Sequence, residues 1–243
     1  MPKASELQDT PYLRVLILGD PKVGKTTMAV GSSPGPLHVL LCEDDSALIP
    51  ARRVVKTDFG FTRISGLDTM TDAVLRLKTR AKKGKLKTVI VDTLSAFGES
   101  VLEECLIEAR DNTRAGYGKY NRVLSQAADQ LLRLPCHLVV LSHYENDSED
   151  DDGEGGRVPM LAGKAKKRIA GKFPDVVWMD YNGGKRILVT GPTGAWGPGC
   201  RHSSETKKLN ADVLSGKKTV GIKALIKHFG LSVPPSVAAA SES

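Results

Sequence analysis

The chain has 243 residues, 40% of them apolar, and a formal charge of +7, enough material for one substantial α/β core. No apolar run approaches the roughly 20 residues needed to span a bilayer. The opening MPKASELQDT lacks the apolar stretch of a secretory leader, so the expectation is a cytoplasmic protein with no membrane contact. Four scattered cysteines (Cys42, Cys105, Cys136, Cys200) form no CxxC pair, which argues against a zinc site and suits reduced thiols.

In chain order, residues 1–11 are polar and read as a flexible arm. Leu13 to Leu18 is an apolar run of strand length ending at Gly19, and Leu37 to Cys42 is a second. Met70, Ala73, Val74, Leu77 and Ala81 recur at helical spacing, predicting an amphipathic helix over 68–83 with a basic outer face. Thr88 to Val91 is a third strand, ending at Asp92. Helices are expected over 94–110 and 119–134, then a fourth strand over 137–141. Residues 145–166 lack periodicity and read as a long mobile loop, acidic over 145–154 and basic from Lys164. Two strand-like runs, 176–180 and 186–190, flank Tyr181-Asn182-Gly183-Gly184, a hairpin signal. A last helix is expected over 219–229, and 231–243 reads as a flexible tail. Alternating strands and helices across one domain, 12–230, predict a mainly parallel sheet flanked by helices, with an antiparallel hairpin at one edge.

The most specific motif is Gly19-Asp20-Pro21-Lys22-Val23-Gly24-Lys25-Thr26, which matches G-x-x-x-x-G-K-[ST] between a strand and a helix. Its glycines let backbone N–H groups converge on phosphate oxygens at the positive end of the following helix, which starts through Thr27. Lys25 is expected at the β- and γ-phosphates of ATP, and the Thr26 hydroxyl on Mg²⁺. Asp92, ending the TVIVD strand, suits a carboxylate holding the same ion through water, or simply a strand-end cap.

No Asn-Lys-x-Asp guanine signature and no LSGGQ-type segment follow. The chain instead resembles the RecA-like recombinase core. VIVDTLSAF (89–97) is similar to that family's metal-binding strand and turn. VLEECLIEARDNTRAGYGKYN (101–121) stands where its first DNA-binding loop lies, RVLSQAADQLLRLPCHLVVLSHYE (122–145) resembles the helix and strand ending at its phosphate sensor, and 146–172 stands where its second DNA loop lies. Within that superfamily the likeness is to small phage ATPases of the Sak-four type, single-strand annealing recombination proteins, over about 10–230.

The resemblance implies a phosphate-sensing role for His143 and a catalytic carboxylate among Glu43, Asp44 and Asp45, with Asp45 in the preferred register and Glu43 two residues away. It implies a homo-oligomer, ring or filament, to which Arg201 could contribute a finger, and possible work with a single-strand-binding protein in a phage host's cytoplasm. Single-stranded DNA would meet Arg110, Arg114, Tyr117, Lys119 and Tyr120 in the first loop, and Lys164, Lys166, Lys167 and Arg168 beside the second, cations with aromatic faces between them. The acidic stretch could occupy that basic track in the free protein. The expected function is a DNA-dependent ATPase promoting annealing or strand pairing. The alternatives are a non-hydrolysing, ATP-switched DNA-binding or loader module, and a small-molecule kinase.

Overall fold

The computed structural model describes residues 11–55, 58–146, 156–191, 199–202 and 205–231. Apart from Pro11 and Leu231, the expected arm (1–11) and tail (231–243) lie outside these residues, as does most of the acidic stretch. β1 (Arg14–Gly19), β2 (Leu37–Leu41), β3 (Gly60–Arg63), β4 (Thr88–Asp92) and β5 (His137–Ser142) alternate with α1 (Lys25–Ser32), α2 (Ile49–Val54), α3 (Leu67–Lys82), α4 (Leu94–Ala109) and α5 (Thr113–Leu132). A short antiparallel pair follows, β6 (Tyr144–Asn146) with β7 (Arg157–Pro159). Then come α6 (Ala165–Ala170), β8 (Asp175–Asn182), β9 (Lys185–Thr190), β10 (Lys207–Asn210) and α7 (Gly221–His228).

Among the described residues, eight strands form one sheet in the order β10-β9-β8-β1-β5-β4-β2-β3. Strands β3, β2, β4, β5, β1 and β8 run parallel, and β9 and β10 continue the sheet in antiparallel fashion at one edge. The fold is α/β as expected, with the β8–β9 hairpin closing through Asn182-Gly183-Gly184. Both glycines there have positive φ, which only glycine adopts without cost.

The strands read as continuous apolar runs because both faces of the sheet are covered. Alternate residues divide between two cores. Leu16, Leu18, Leu40, Val89 and Val91 pack with α3, α4, α5 and α6. Val15, Ile17, Val39 and Ile90 pack with α1, α2 and α7. The predicted stripe of α3 is the buried one, with Met70, Ala73, Val74, Leu77 and Ala81 all inside. Every parallel strand delivers its C-terminal end to the same edge, where ligands bind in such sheets.

Two sequence expectations are corrected. The stretch left between the helices expected over 94–110 and 119–134 is mostly helical: α4 runs to Ala109 and α5 starts at Thr113, capped when Asn112 Oδ1 accepts the Ala115 N–H at 3.0 Å. Tyr120, expected to stack on DNA, is fully buried in the core. Within 145–166, β6 and β7 pair over three residues each, with Val158 buried. Segments that short carry no periodicity to read.

Candidate functional site

The loop from Gly19 to Thr26 joins β1 to α1 and turns on two left-handed residues, Lys22 (φ 63°) and Gly24 (φ 100°). The left-handed backbone of Gly24 favours glycine, and a Cβ there would lie 2.9 Å from Arg186 Nε, on a flexible side chain that would have to move aside. Asp20, Pro21 and Lys22 form the exposed crest, with Val23 N–H donating back to Asp20 O at 3.4 Å. α1 then starts with its N–H groups facing a cavity of about 350 Å³ lined by Lys22, Gly24, Lys25, Thr26, Thr27, Glu43, Asp92, Thr93, His143 and Arg186, among others. Four neighbouring strands, β1, β5, β4 and β2, supply this wall in turn.

Lys25 is almost wholly buried. Its ammonium donates to Gly19 O and Asp20 O, both at 2.9 Å, and reaches His143 Nδ1 at 3.2 Å. Burial pulls its pKa down to about 8, against the pull of Asp92 and Glu43. An ammonium only donates, so His143 Nδ1 accepts and the ring proton sits on Nε2, 3.5 Å from Glu43 Oε1. Glu43 Oε1 also accepts the Thr93 hydroxyl at 2.8 Å. Thr93 is itself held as the N-cap of α4. The hydrogen bond from His143, helped by Thr93, keeps the Glu43 carboxyl below the usual carboxylate range despite its partial burial. The backbone of His143 is held by donation to Ser95 Oγ at 2.9 Å, and Ser95 in turn bonds Ser142 Oγ at 2.9 Å.

Asp92 is fully buried, and neither carboxylate oxygen has a hydrogen-bond partner among the described residues. Burial raises its pKa to about 6; the nearby Thr26 hydroxyl opposes that rise without meeting hydrogen-bond geometry. A buried, unsatisfied carboxylate opening onto a phosphate loop fits a hydrated Mg²⁺ held between Thr26 and Asp92. The sign of its pH linkage is definite. A carboxyl whose pKa is raised on folding stabilises the protein below about 4 and loses that contribution as pH rises through about 6. Nucleotide-free Asp92→Asn protein is therefore expected to gain stability relative to wild type between pH 4 and 6. Urea unfolding across that window checks this, and a constant difference would refute it.

Among the three carboxylates after β2, only Glu43 lines the phosphate-loop cavity. Asp45, the residue preferred from sequence register, is exposed and forms a bidentate ion pair with Arg63 of β3. Asp44 is also exposed and caps a short 3₁₀ turn through Ser46 N–H at 2.9 Å. β3 gave no sequence signal, so Arg63 could not be anticipated as the partner. Sequence reasoning also missed Arg186 of β9, whose Nε donates to Val23 O at 2.9 Å and covers the loop. A lone arginine opening a strand carries no motif.

The predicted DNA-facing residues divide. Tyr117 of α5 lies beside Gly163. A cavity of about 710 Å³ is lined by Asn121 of α5 together with Gly163, Lys164, Lys166, Lys167 and Arg168. The two stretches named from sequence thus meet at one surface. Lys119 pairs with Glu108, and Lys166 with Glu145 at 3.3 Å. Arg110 and Arg114 are exposed at the α4–α5 turn and do not line that cavity. Arg201 lies beside the start of β8, its N–H on Pro174 O at 2.9 Å, away from the phosphate loop of its own chain.

Residues 12–202 match the family model described as AAA domain. A search of the curated proteins found no match. No described helix is long and apolar enough to cross a membrane.

Proposed function

We propose, from the premise that this chain belongs to the AAA domain family of P-loop ATPases, that it hydrolyses ATP under the control of single-stranded DNA. The observation that carries the reading is the position of His143. Its ring bridges the phosphate-loop lysine and Glu43, while its carbonyl accepts the Met160 N–H at 3.0 Å. Two residues on, Glu145 pairs with Lys166 of basic α6. One short run of backbone thus links the phosphate site to the surface where Tyr117, Lys164 and Arg168 converge.

Glu43 orients the attacking water and accepts its proton, staying ionised at neutral pH because His143 and Thr93 both donate to it. Lys25 leaves the carbonyls of Gly19 and Asp20 for the β- and γ-phosphates. Mg²⁺ held by Thr26 and Asp92 would neutralise charge on the phosphates. His143 loses a partner when Lys25 moves, and β6 and β7 follow. Arg186 steadies the loop in the same chain, and Arg201 remains a candidate to reach a neighbouring subunit's nucleotide in a homo-oligomer.

With the resemblance to Sak-four-type proteins, the setting that fits is single-strand annealing or strand pairing in phage-type recombination. Phosphate release with and without single-stranded DNA tests the reading. Turnover should rise with DNA. DNA binding without turnover would favour a loader module, and turnover indifferent to DNA would refute the coupling.

A further inference from the structure

The C-terminal half of α3 and the turn after it hold a charge cluster that the ATPase reading does not use. Between Arg76 and Lys87 stand seven cations (Arg76, Lys78, Arg80, Lys82, Lys83, Lys85 and Lys87) and no carboxylate. The formal excess of the whole chain is +7, so this one segment accounts for it and the remainder balances. Among the described residues none of the seven forms an ion pair. Five are exposed and Lys78 and Lys87 are half-buried.

A helix C-terminus attracts cations, but its dipole is equivalent to only about half a negative charge. Seven cations far exceed what that would hold. The acids of α3, Asp68 and Asp72, lie toward its other end, with Glu104 of α4 against its first turn. On α5, which packs against α3, Asp129 is taken by Lys172 at 2.6 Å, while Arg133 adds a further exposed cation. The neighbouring His38 receives Arg80 Nη1 at 3.3 Å from its Nδ1. Burial and the two arginines hold its pKa at about 4, so it stays neutral.

We infer that this face is a second nucleic-acid site, one that grips the phosphate backbone of duplex DNA. Two observations select that occupant. α3 descends from the C-terminal end of β3 to the start of β4, so the cluster lies at the opposite sheet edge from Lys25, Glu43 and His143. It is therefore independent of the nucleotide. The segment 76–87 also has no aromatic residue. Single strands are held by stacking on aromatic faces, whereas duplex DNA offers its phosphates and keeps its bases stacked inside. Tyr117, a residue 37% exposed beside Gly163, marks the other surface as the single-strand side. A protein carrying a single strand at one edge and a duplex at the other can hold both partners of a pairing reaction.

The test compares the variants R76Q/R80Q, K83Q/K85Q and their combination with K164Q/R168Q, using a labelled duplex without nucleotide. The combined α3 variant should lose about tenfold or more in duplex affinity, and its log–log salt slope should flatten by about 3 to 4, with each double variant giving about half. Its DNA-stimulated ATPase should persist, and K164Q/R168Q should keep duplex binding. The inference is overturned if duplex affinity and slope are unchanged in the α3 variants. It is also overturned if K164Q/R168Q loses duplex binding equally, or if polyglutamate or anionic vesicles compete as well as duplex. Loss of single-strand stimulation in wild type would defeat the ATPase coupling but leave this site standing.

Discussion

Replacing Glu43 by glutamine should lower ATP turnover by roughly 10²–10⁴-fold, the usual contribution of a positioned general base. Nucleotide affinity should stay near that of wild type. The same exchange at Asp45 should leave turnover within about threefold, as expected of an exposed residue outside the site. The contrast follows from placement. Glu43 lines the phosphate cavity and accepts from Thr93 and His143, so its charge is held where the proposed hydrolysis would need a water aimed. Asp45 spends its carboxylate on Arg63 at the surface. Glutamine keeps the shape and can still accept the Thr93 hydroxyl, so the change tests the negative charge and little else. Steady-state phosphate release at saturating ATP, with affinity measured separately, decides between the residues. Equal losses in both variants would return the role to an undefined carboxylate.

The second large effect is expected at Lys25. Lys25→Ala should reduce kcat/KM by about 10³-fold or more, because the proposed function has this charged donor leave Gly19 O and Asp20 O for the phosphates. The empty protein should remain folded. The buried ammonium carries a desolvation penalty, seen in its depressed pKa, that offsets its bonds to Gly19 O, Asp20 O and His143. Thermal unfolding should therefore show a melting temperature close to wild type without nucleotide, and no rise on adding Mg²⁺ and ATP. A variant that melts far below wild type would mean that Lys25 braces the fold.

Much of the frame was legible from sequence because its signals are local. The phosphate loop has a fixed spacing, TVIVD is an apolar run ended by one acid, and the stripe of α3 repeats with helical period. Glu43 was harder. Three carboxylates follow β2 in a row, and only pairing of Asp45 with Arg63, eighteen residues on, shows which one turns away. Arg63 sits on an edge strand whose residues are mostly exposed, so no buried run marked it. Tyr120 misleads for a related reason: Gly-Tyr-Gly-x-Tyr looks like loop chemistry, yet helix α5 buries Gly116 and Tyr120 on one face. Side-chain direction within a helix decided between core and DNA, and tertiary packing set that direction.

The proposed coupling runs through one linkage, from Lys25 and Glu43 through His143 to Lys164 and Arg168. It is tested most directly by titrating phosphate release with single-stranded DNA in wild type and in Lys164→Ala/Arg168→Ala protein. DNA should stimulate turnover in wild type, and the variant should keep its basal rate and lose the stimulation. Equal rates with and without DNA in wild type, or full stimulation of the variant, would contradict it.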